Sequence, residues 1–185
     1  MINYNRIHRS IEYYRSKSYQ RVESPWTVTK PVSEITKPKG SKEWTIIEKD
    51  KVLVASGEQS FLYMYLKGFL PKGKFQTVTP CFRDETFDEL HTKYFMKNEL
   101  IITDDVTIEN LSKIVEDAKN FLEVEINHKI EVVNTELGYD LEIDGMELGS
   151  YGIRNCGYLD WIFVTGLSEP RTSYIKNKIR KDGVS

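Results

Sequence analysis

Two strand-like stretches joined by a short charged segment constrain the fold of this chain more than any other feature. Residues 75–85 and 93–102 have the composition of β-strands, and residues 86–90 connect them. So short a connection is typical of neighbouring antiparallel strands, since parallel neighbours need a crossover of a dozen or more residues. The sequence therefore predicts an antiparallel sheet built around this pair.

Helical patterns flank the strand pair. Residues 4–18 and 107–123 carry apolar side chains at helical spacing, and residues 169–181 form a third expected helix with cations near its end. Residues 27–42, with Pro, Gly, Ser and Thr, are expected to form a loop, and a helix is expected over 59–67. Further strands are expected at 19–24, 52–55, 130–134, 140–143 and 159–164. This order predicts an α+β fold, an antiparallel β-sheet flanked by helices.

The bulk composition excludes several classes of protein. The chain has 185 residues, enough for one well-cored domain, and no apolar stretch approaches the length of a membrane span. Its formal net charge of −2 argues against a broadly basic surface that coats nucleic acid. The N-terminus lacks the apolar core of a signal peptide, so a cytoplasmic location is expected. Cys81 and Cys156, the latter in an expected loop over 151–158, form no CxxC pair and are expected to be free thiols.

Four side chains near the connection between the two strands carry chemistry: Arg83, Glu85, His91 and Phe95. A guanidinium grips phosphate with a planar fork of donors, and an aromatic ring with a cation on the other side can sandwich a purine. These parts suit a nucleoside triphosphate held in a bent conformation. The pattern Arg-x-Glu, short loop, His-x-x-x-Phe resembles motif 2 of the class II aminoacyl-tRNA synthetases, over residues 75–102 or thereabouts.

Two further segments resemble the other signature motifs of that family. The helix and the strand that runs into Pro25 resemble motif 1, over about residues 4–26. The run Thr-Gly-Leu-Ser-Glu-Pro-Arg-Thr, which contains Arg171, resembles motif 3, over about residues 159–181. The three motifs keep the family's order, which implies a single catalytic domain over residues 1–185 with the class II synthetase and biotin ligase-like fold.

Four shorter matches resemble the seryl-tRNA synthetase-like branch of the family most closely. Residues 56–58, Ser-Gly-Glu, resemble its Thr-x-Glu element, and residues 95–100 resemble its Phe-x-Lys-x-Glu-Leu strand. Residues 140–142 resemble its Asp-hydrophobic-Glu strand, and residues 146–150 resemble its Glu-x-x-Ser segment. Their order and approximate spacing carry this part of the resemblance.

The resemblance implies ATP as the nucleotide. Arg83 would hold the α-phosphate, and His91 would contact the γ-phosphate. Arg171 would reach the same end and stack on the adenine, under which Phe95 would lie. Arg83 and Arg171 are thus the expected catalytic residues. Glu85 would accept from the adenine amino group or contact the activated substrate.

The resemblance also implies a metal ion and a small polar amino acid. Glu147 and Ser150 would bind Mg²⁺, a hard cation suited to oxygen ligands. Ser56, Glu58 and Glu99 would face the amino acid, whose ammonium group suits a pair of carboxylates.

Each of these residues also has an ordinary structural explanation. Arg83 and Glu85 could form an ion pair on a solvated sheet face, and Phe95 could be a core aromatic. Glu58 lies in a helix first turn, where the dipole favours a carboxylate without any substrate. Glu147 and Ser150 follow an expected Asp-Gly turn, which alone would explain polar residues there.

Three functions fit these patterns. The first is ATP-dependent formation of an aminoacyl-adenylate with transfer to a carrier protein or small molecule. The second is aminoacylation of tRNA by a minimal core or with a partner subunit. The third is a non-catalytic synthetase paralogue that serves as a regulatory or assembly module.

The expected partners follow the same resemblance. The chain starts at the motif 1 helix and ends just after motif 3, so neither a coiled-coil tRNA-binding arm nor an anticodon-binding domain is expected. Class II cores pair through motif 1, which predicts a two-fold homodimer with Pro25 at the interface and no membrane partner.

Overall fold

A computed structural model describes residues 1–46, 50–84 and 92–182 of the chain. Within these ranges the helices are α1 Tyr4–Ser16, α2 Lys30–Ser33, α3 Gly57–Leu66, α4 Ile108–Ile126 and α5 Arg171–Asp182. The strands are β1 Gln20–Arg21, β2 Thr27–Thr29, β3 Thr45–Ile46, β4 Lys51–Leu53, β5 Lys74–Phe82, β6 Tyr94–Ile102, β7 Glu131–Thr135, β8 Gly138–Ile143, β9 Met146–Asn155 and β10 Asp160–Glu169. None of these helices has both the length and the apolar composition needed to cross a membrane.

The two long helices before and after the central strands begin at side-chain caps. Asn3 accepts a hydrogen bond from the backbone N–H of Arg6 at 3.0 Å, and Thr107 accepts one from Asn110 at 3.2 Å. Such caps satisfy backbone donors that the first helical turn leaves unpaired. At its other end α4 stops at Asn127, which adopts the left-handed conformation that asparagine tolerates well.

A seven-stranded sheet with the order β1-β5-β6-β10-β9-β8-β7 forms the centre of the molecule. Every neighbouring pair in it is antiparallel except β1 and β5. A second sheet, β2-β4-β3, is small and antiparallel. The α+β fold with an antiparallel sheet flanked by helices is therefore confirmed.

The two faces of the large sheet pack against different elements. On one face, even-numbered residues of β6 such as Leu100 and Ile102 join a core that includes Ile11 of α1 and Leu111 of α4. On the other face, Ile101 belongs to a second core shared with α3 and the small sheet. Because side chains alternate along a strand, the odd-numbered residues of β6 share the second face, and this face carries the candidate site.

Several expected boundaries differ from the observed ones. The expected loop over 151–158 is largely strand, because β9 continues to Asn155 and pairs with β10. The expected loop over 27–42 contains β2 and the short helix α2. The helix expected over 59–67 begins two residues earlier, at Gly57, and ends at Leu66. In the first two cases pairing or packing with distant elements orders residues whose local composition favours a loop.

Candidate active site

A cavity of about 240 Å³ lies on the sheet face that packs against α3. Its walls come from β6, β9 and β10, the N-terminus of α3 and the segment between α2 and β3. Six of the residues singled out from the sequence line it: Ser56, Glu58, Arg83, Glu99, Glu147 and Ser150. Residues more than ninety positions apart thus converge on one volume, which is what a binding site requires.

The strand register explains this convergence. Thr77 of β5 pairs with Glu99 of β6, and Glu99 pairs with Thr165 of β10. Side chains of directly paired residues lie on the same face of a sheet. Glu99 and Thr165 therefore line the same cavity, as does Lys97 two residues before Glu99.

Arg83 lies just beyond the end of β5, and its guanidinium lies over the ring of Phe95, 5.1 Å from the ring centre. Its Nε also donates to the carbonyl oxygen of Ala55 at 3.3 Å. Phe95 is buried. An adenine ring and Arg83 cannot occupy the same face of Phe95, so the expected adenine stacking on this ring requires its other face or a movement of Arg83.

Arg171 is the first residue of α5, and its Nη1 donates to Oε1 of Glu147 at 2.9 Å. Their side chains are 16% and 45% exposed, so this ion pair is open to solvent on the side of the glutamate. The pair brings together the arginine expected to contact ATP and the carboxylate expected to bind Mg²⁺. Both roles stay predictions.

Glu99 is held from two sides. One of its oxygens accepts from the backbone N–H of Gly57 at the start of α3, and Lys97 donates to the other at 3.2 Å. Lys97 also contacts the hydroxyl of Thr165 at 3.3 Å. A carboxylate at a helix N-terminus is favoured by the helix dipole, so Glu99 both fixes α3 on the sheet and presents charge to the cavity.

Glu58 is almost fully buried and has two strong partners. The indole N–H of Trp161 donates to Oε1 at 2.6 Å, and Arg154 forms an ion pair with Oε2. Burial raises the pKa of Glu58, and the positive charge of Arg154 opposes that rise. The guanidinium of Arg154 in turn lies 4.2 Å from the ring centre of Phe163. The carboxylate expected to receive the substrate ammonium is thus already paired with a cation, and its substrate role stays a prediction.

The residues expected to hold Mg²⁺ fit such an ion in part. Ser150 hydrogen-bonds Asp140, whose buried Oδ1 has no partner among the described atoms. Burial raises the pKa of Asp140, and the nearby charge of Glu147 raises it further. No three His, Cys, Asp or Glu side chains within the described ranges cluster as a metal site. Two carboxylates and a hydroxyl suit Mg²⁺ delivered with a nucleotide, since this ion keeps several waters and shares phosphate oxygens.

Sequence reasoning missed several cavity residues, chiefly Arg154, Lys97 and Thr165. Arg154 could have been found from the alternation Ser150, Gly152, Arg154, had residues 151–155 been read as strand. Glu85 and His91 lie outside the described residues, so their predicted contacts with ATP stay predictions.

The large sheet and its flanking helices have the fold of class II aminoacyl-tRNA synthetase catalytic domains. The chain is similar to a pyrrolysyl-tRNA synthetase from Desulfitobacterium hafniense, with a TM-score of 0.74 and 15% identity over 94% of this chain and 69% of that one. It is also similar to a serine-tRNA ligase from Naegleria fowleri, solved in complex with AMP, with a TM-score of 0.68, 16% identity and coverage of 90% and 51%. For a seryl-tRNA synthetase from Pyrococcus horikoshii, complexed with ATP, the values are 0.70, 19%, 90% and 48%.

The chain therefore spans about half the length of the two seryl enzymes. No protein-family model and no curated protein sequence matches it. At identities below 20% the structural likeness establishes the fold, and the reaction has to be argued from the site.

Proposed function

We propose that this protein activates the carboxyl group of an amino acid with ATP and transfers the aminoacyl group to an acceptor other than tRNA, such as a carrier protein or a small molecule. The observation that carries the proposal is the position of Arg83, which lines a cavity together with Glu99, Glu147 and Ser150. The class II fold supports the same chemistry, since two similar structures are complexes with AMP and ATP.

The chain's own residues would serve the reaction by position and charge. A substrate carboxylate oxygen attacks the α-phosphorus, the new O–P bond forms, and the bond to pyrophosphate breaks. Arg83 would stabilise the charge that develops on the α-phosphate oxygens, and Arg171 would neutralise the departing pyrophosphate. Mg²⁺ held near Glu147 and Ser150 would supply further charge neutralisation on the phosphates.

The choice of acceptor rests on charge. A formal net charge of −2 gives little attraction for the phosphate backbone of a tRNA. The exposed cations at the end of α5 are the feature that favours tRNA instead: Lys178, Arg180 and Lys181. A gel-shift titration with bulk tRNA at about 150 mM salt separates the two acceptors, and a retarded complex would support tRNA.

The test of the proposed reaction is ATP–pyrophosphate exchange with each standard amino acid. Exchange is expected with one or a few of them, and Arg83→Ala should lower its rate by about 100- to 1,000-fold because a donor to developing charge is lost. Lys113→Ala, an exposed cation on α4 and on the opposite face of the sheet, is the control and should leave the rate unchanged. Exchange equally fast in Arg83→Ala, or absent with every acid tested, would contradict the proposal.

A further inference from the structure

Glu58, Arg154 and Phe163 line a part of the cavity that has no role in the function proposed above, and the buried Trp161 donates to Glu58. Trp161 and Phe163 of β10 are buried, and so is Glu58 in the first turn of α3. Arg154 is the member of this group that turns toward the open space, because it lines the cavity with 24% of its side chain exposed. The group is therefore largely buried, and the guanidinium of Arg154 is its most exposed part toward the cavity.

The guanidinium of Arg154 has N–H donors that its ion pair with Glu58 does not use. A guanidinium carries five N–H groups in a fixed fork. Within the described part of the chain, the Arg154 side chain makes one hydrogen bond, which its Nη1 donates to Glu58. Stacking on Phe163 fixes the plane of the fork, so the remaining donors are oriented before any ligand arrives. Such an arrangement matches the planar, bidentate geometry of a carboxylate.

The position of Arg154 separates it from the expected nucleotide end of the cavity. Arg154 pairs with Trp161 on β10, whereas Met96, the neighbour of Phe95, pairs with Glu169 at the other end of β10. The two guanidinium groups also lie over different rings, that of Arg83 over Phe95 of β6 and that of Arg154 over Phe163 of β10. ATP phosphates near Arg83 and a group bound at Arg154 would therefore be different parts of the bound reactants.

The carboxylates of the cavity wall are already neutralised. Each has a cationic partner in an ion pair: Glu43 with Lys37, Glu58 with Arg154, Glu99 with Lys97 and Glu147 with Arg171. A substrate with a cationic side chain would find no unpaired carboxylate among these residues. A substrate with an additional anionic group would find the remaining donors of Arg154.

We propose that Arg154 determines specificity by binding a second carboxylate of the substrate, so that the acid activated here is a small dicarboxylic acid such as an acidic amino acid. The inference rests on the proposed function for the fate of the first carboxylate. It adds the class of substrate, and its binding test is independent of catalysis.

Calorimetric titration tests the binding claim with L-aspartate and L-glutamate against their amides, L-asparagine and L-glutamine, in the presence of a non-hydrolysable ATP analogue. The acids should bind at least about 10-fold more tightly than the amides, because a hydrogen bond to a charged group is lost with the amide. Arg154→Lys keeps the charge but loses the fork, and it should weaken acid binding by about 10- to 100-fold. Equal affinity for acid and amide, or acid binding unchanged in Arg154→Lys, would overturn the inference.

A second variant separates recognition from a merely structural role. Glu58→Gln keeps an acceptor for the Trp161 indole but removes the charge that partly neutralises Arg154. Affinity for L-aspartate should rise in this variant, whereas damage to a structural ion pair alone would lower it or leave it unchanged. Circular dichroism confirms that both variants fold.

Pyrophosphate exchange distinguishes failure of this inference from failure of the proposed function. Exchange with L-serine or another amino acid with a neutral side chain, and none with L-aspartate or L-glutamate, would overturn the inference. The proposed activation of an amino acid with ATP would then still stand. Selective binding of L-aspartate that Arg154→Lys abolishes, without exchange for any acid, would uphold the inference and overturn the function.

Discussion

At the scale of single residues, one added methyl group at Gly57 should disturb the site. A Cβ at this residue would lie 2.9 Å from Oε2 of Glu99 and 2.9 Å from the hydroxyl of Thr79. Gly57→Ala should therefore push Glu99 away from the α3 N-terminus, at a cost of about 1–3 kcal/mol for overpacking. The melting temperature and the rate of pyrophosphate exchange should both be lower than in the wild type.

The control for this prediction lies on the same helix. Lys67→Ala, at the exposed C-terminal end of α3, should change the unfolding free energy by less than about 0.5 kcal/mol. Equal stability of Gly57→Ala and the wild type would mean that Glu99 can yield without loss.

Residue types in the site could be predicted from short motifs, but their partners could not. Ser56, Glu58, Arg83 and Glu99 were singled out by local patterns, and the structure brings them to one cavity. The partners of Glu58, however, lie 96 and 103 positions away along the chain. No local pattern spans such a distance, so the ion pair of Glu58 with Arg154 became visible only in three dimensions.

At the scale of elements, a buried ion network joins three helices and the end of β10. Arg6 of α1 pairs with Glu125 of α4 at 3.2 Å and with Glu169 at the end of β10, and it donates to Ser173 of α5 at 2.9 Å. Arg6 and Glu169 are almost fully buried. Glu169 is separated from Arg171 by one residue, so this network also fixes where the motif 3 arginine begins its helix.

Arg6→Met should destabilise the protein by about 3–5 kcal/mol, because it leaves the buried carboxylate of Glu169 without its cation. Urea unfolding measures the change. Arg15→Met on the same helix is the matched control, since Arg15 is exposed and its ion pair with Glu12 is worth at most about 1 kcal/mol. A loss below about 1 kcal/mol for Arg6→Met would show that the network contributes little.

The same network predicts a dependence of stability on pH. Hydrogen bonding from Arg9 lowers the pKa of Glu125 below its ordinary value of 4.5. The charged form is therefore favoured in the folded state, and its contribution to stability is present above pH 4.5 and is lost as the pH falls through the lowered pKa. The melting temperature should drop more steeply in the wild type than in Glu125→Gln as the pH falls below about 4.5. Parallel curves for the two proteins would contradict this assignment.

Elements with strong periodicity could be predicted, and elements that depend on pairing could not. The apolar spacing of Leu111, Ile114 and Leu122 indicates α4, and that helix is observed at Ile108–Ile126. The second half of β9 contains Gly152 and Arg154, which have no strand preference of their own. It is a strand because β10 pairs with it residue by residue.

At the scale of the whole molecule, the order of expected helices and strands predicted the fold class, but it did not predict the order of strands in the sheet. The expected α+β architecture is confirmed, but no single segment of the sequence predicts the strand order. The two residues of β1 join the sheet edge beside β5, more than fifty positions later in the chain, in a parallel pairing that local patterns do not predict.

The segment that resembles motif 1 has an exposed sheet edge and an exposed tryptophan. The strand β1 lies at the edge of the large sheet with both residues exposed, and Trp26 next to Pro25 is 58% exposed. An exposed edge and an exposed aromatic favour association, so a two-fold dimer through this region is expected. Trp26→Lys should shift the mass measured by light scattering from dimer toward monomer at micromolar concentration. Trp44→Lys, an equally conspicuous aromatic at 44% exposure outside motif 1, should leave the dimer intact, and a wild-type protein that is already monomeric would contradict the prediction.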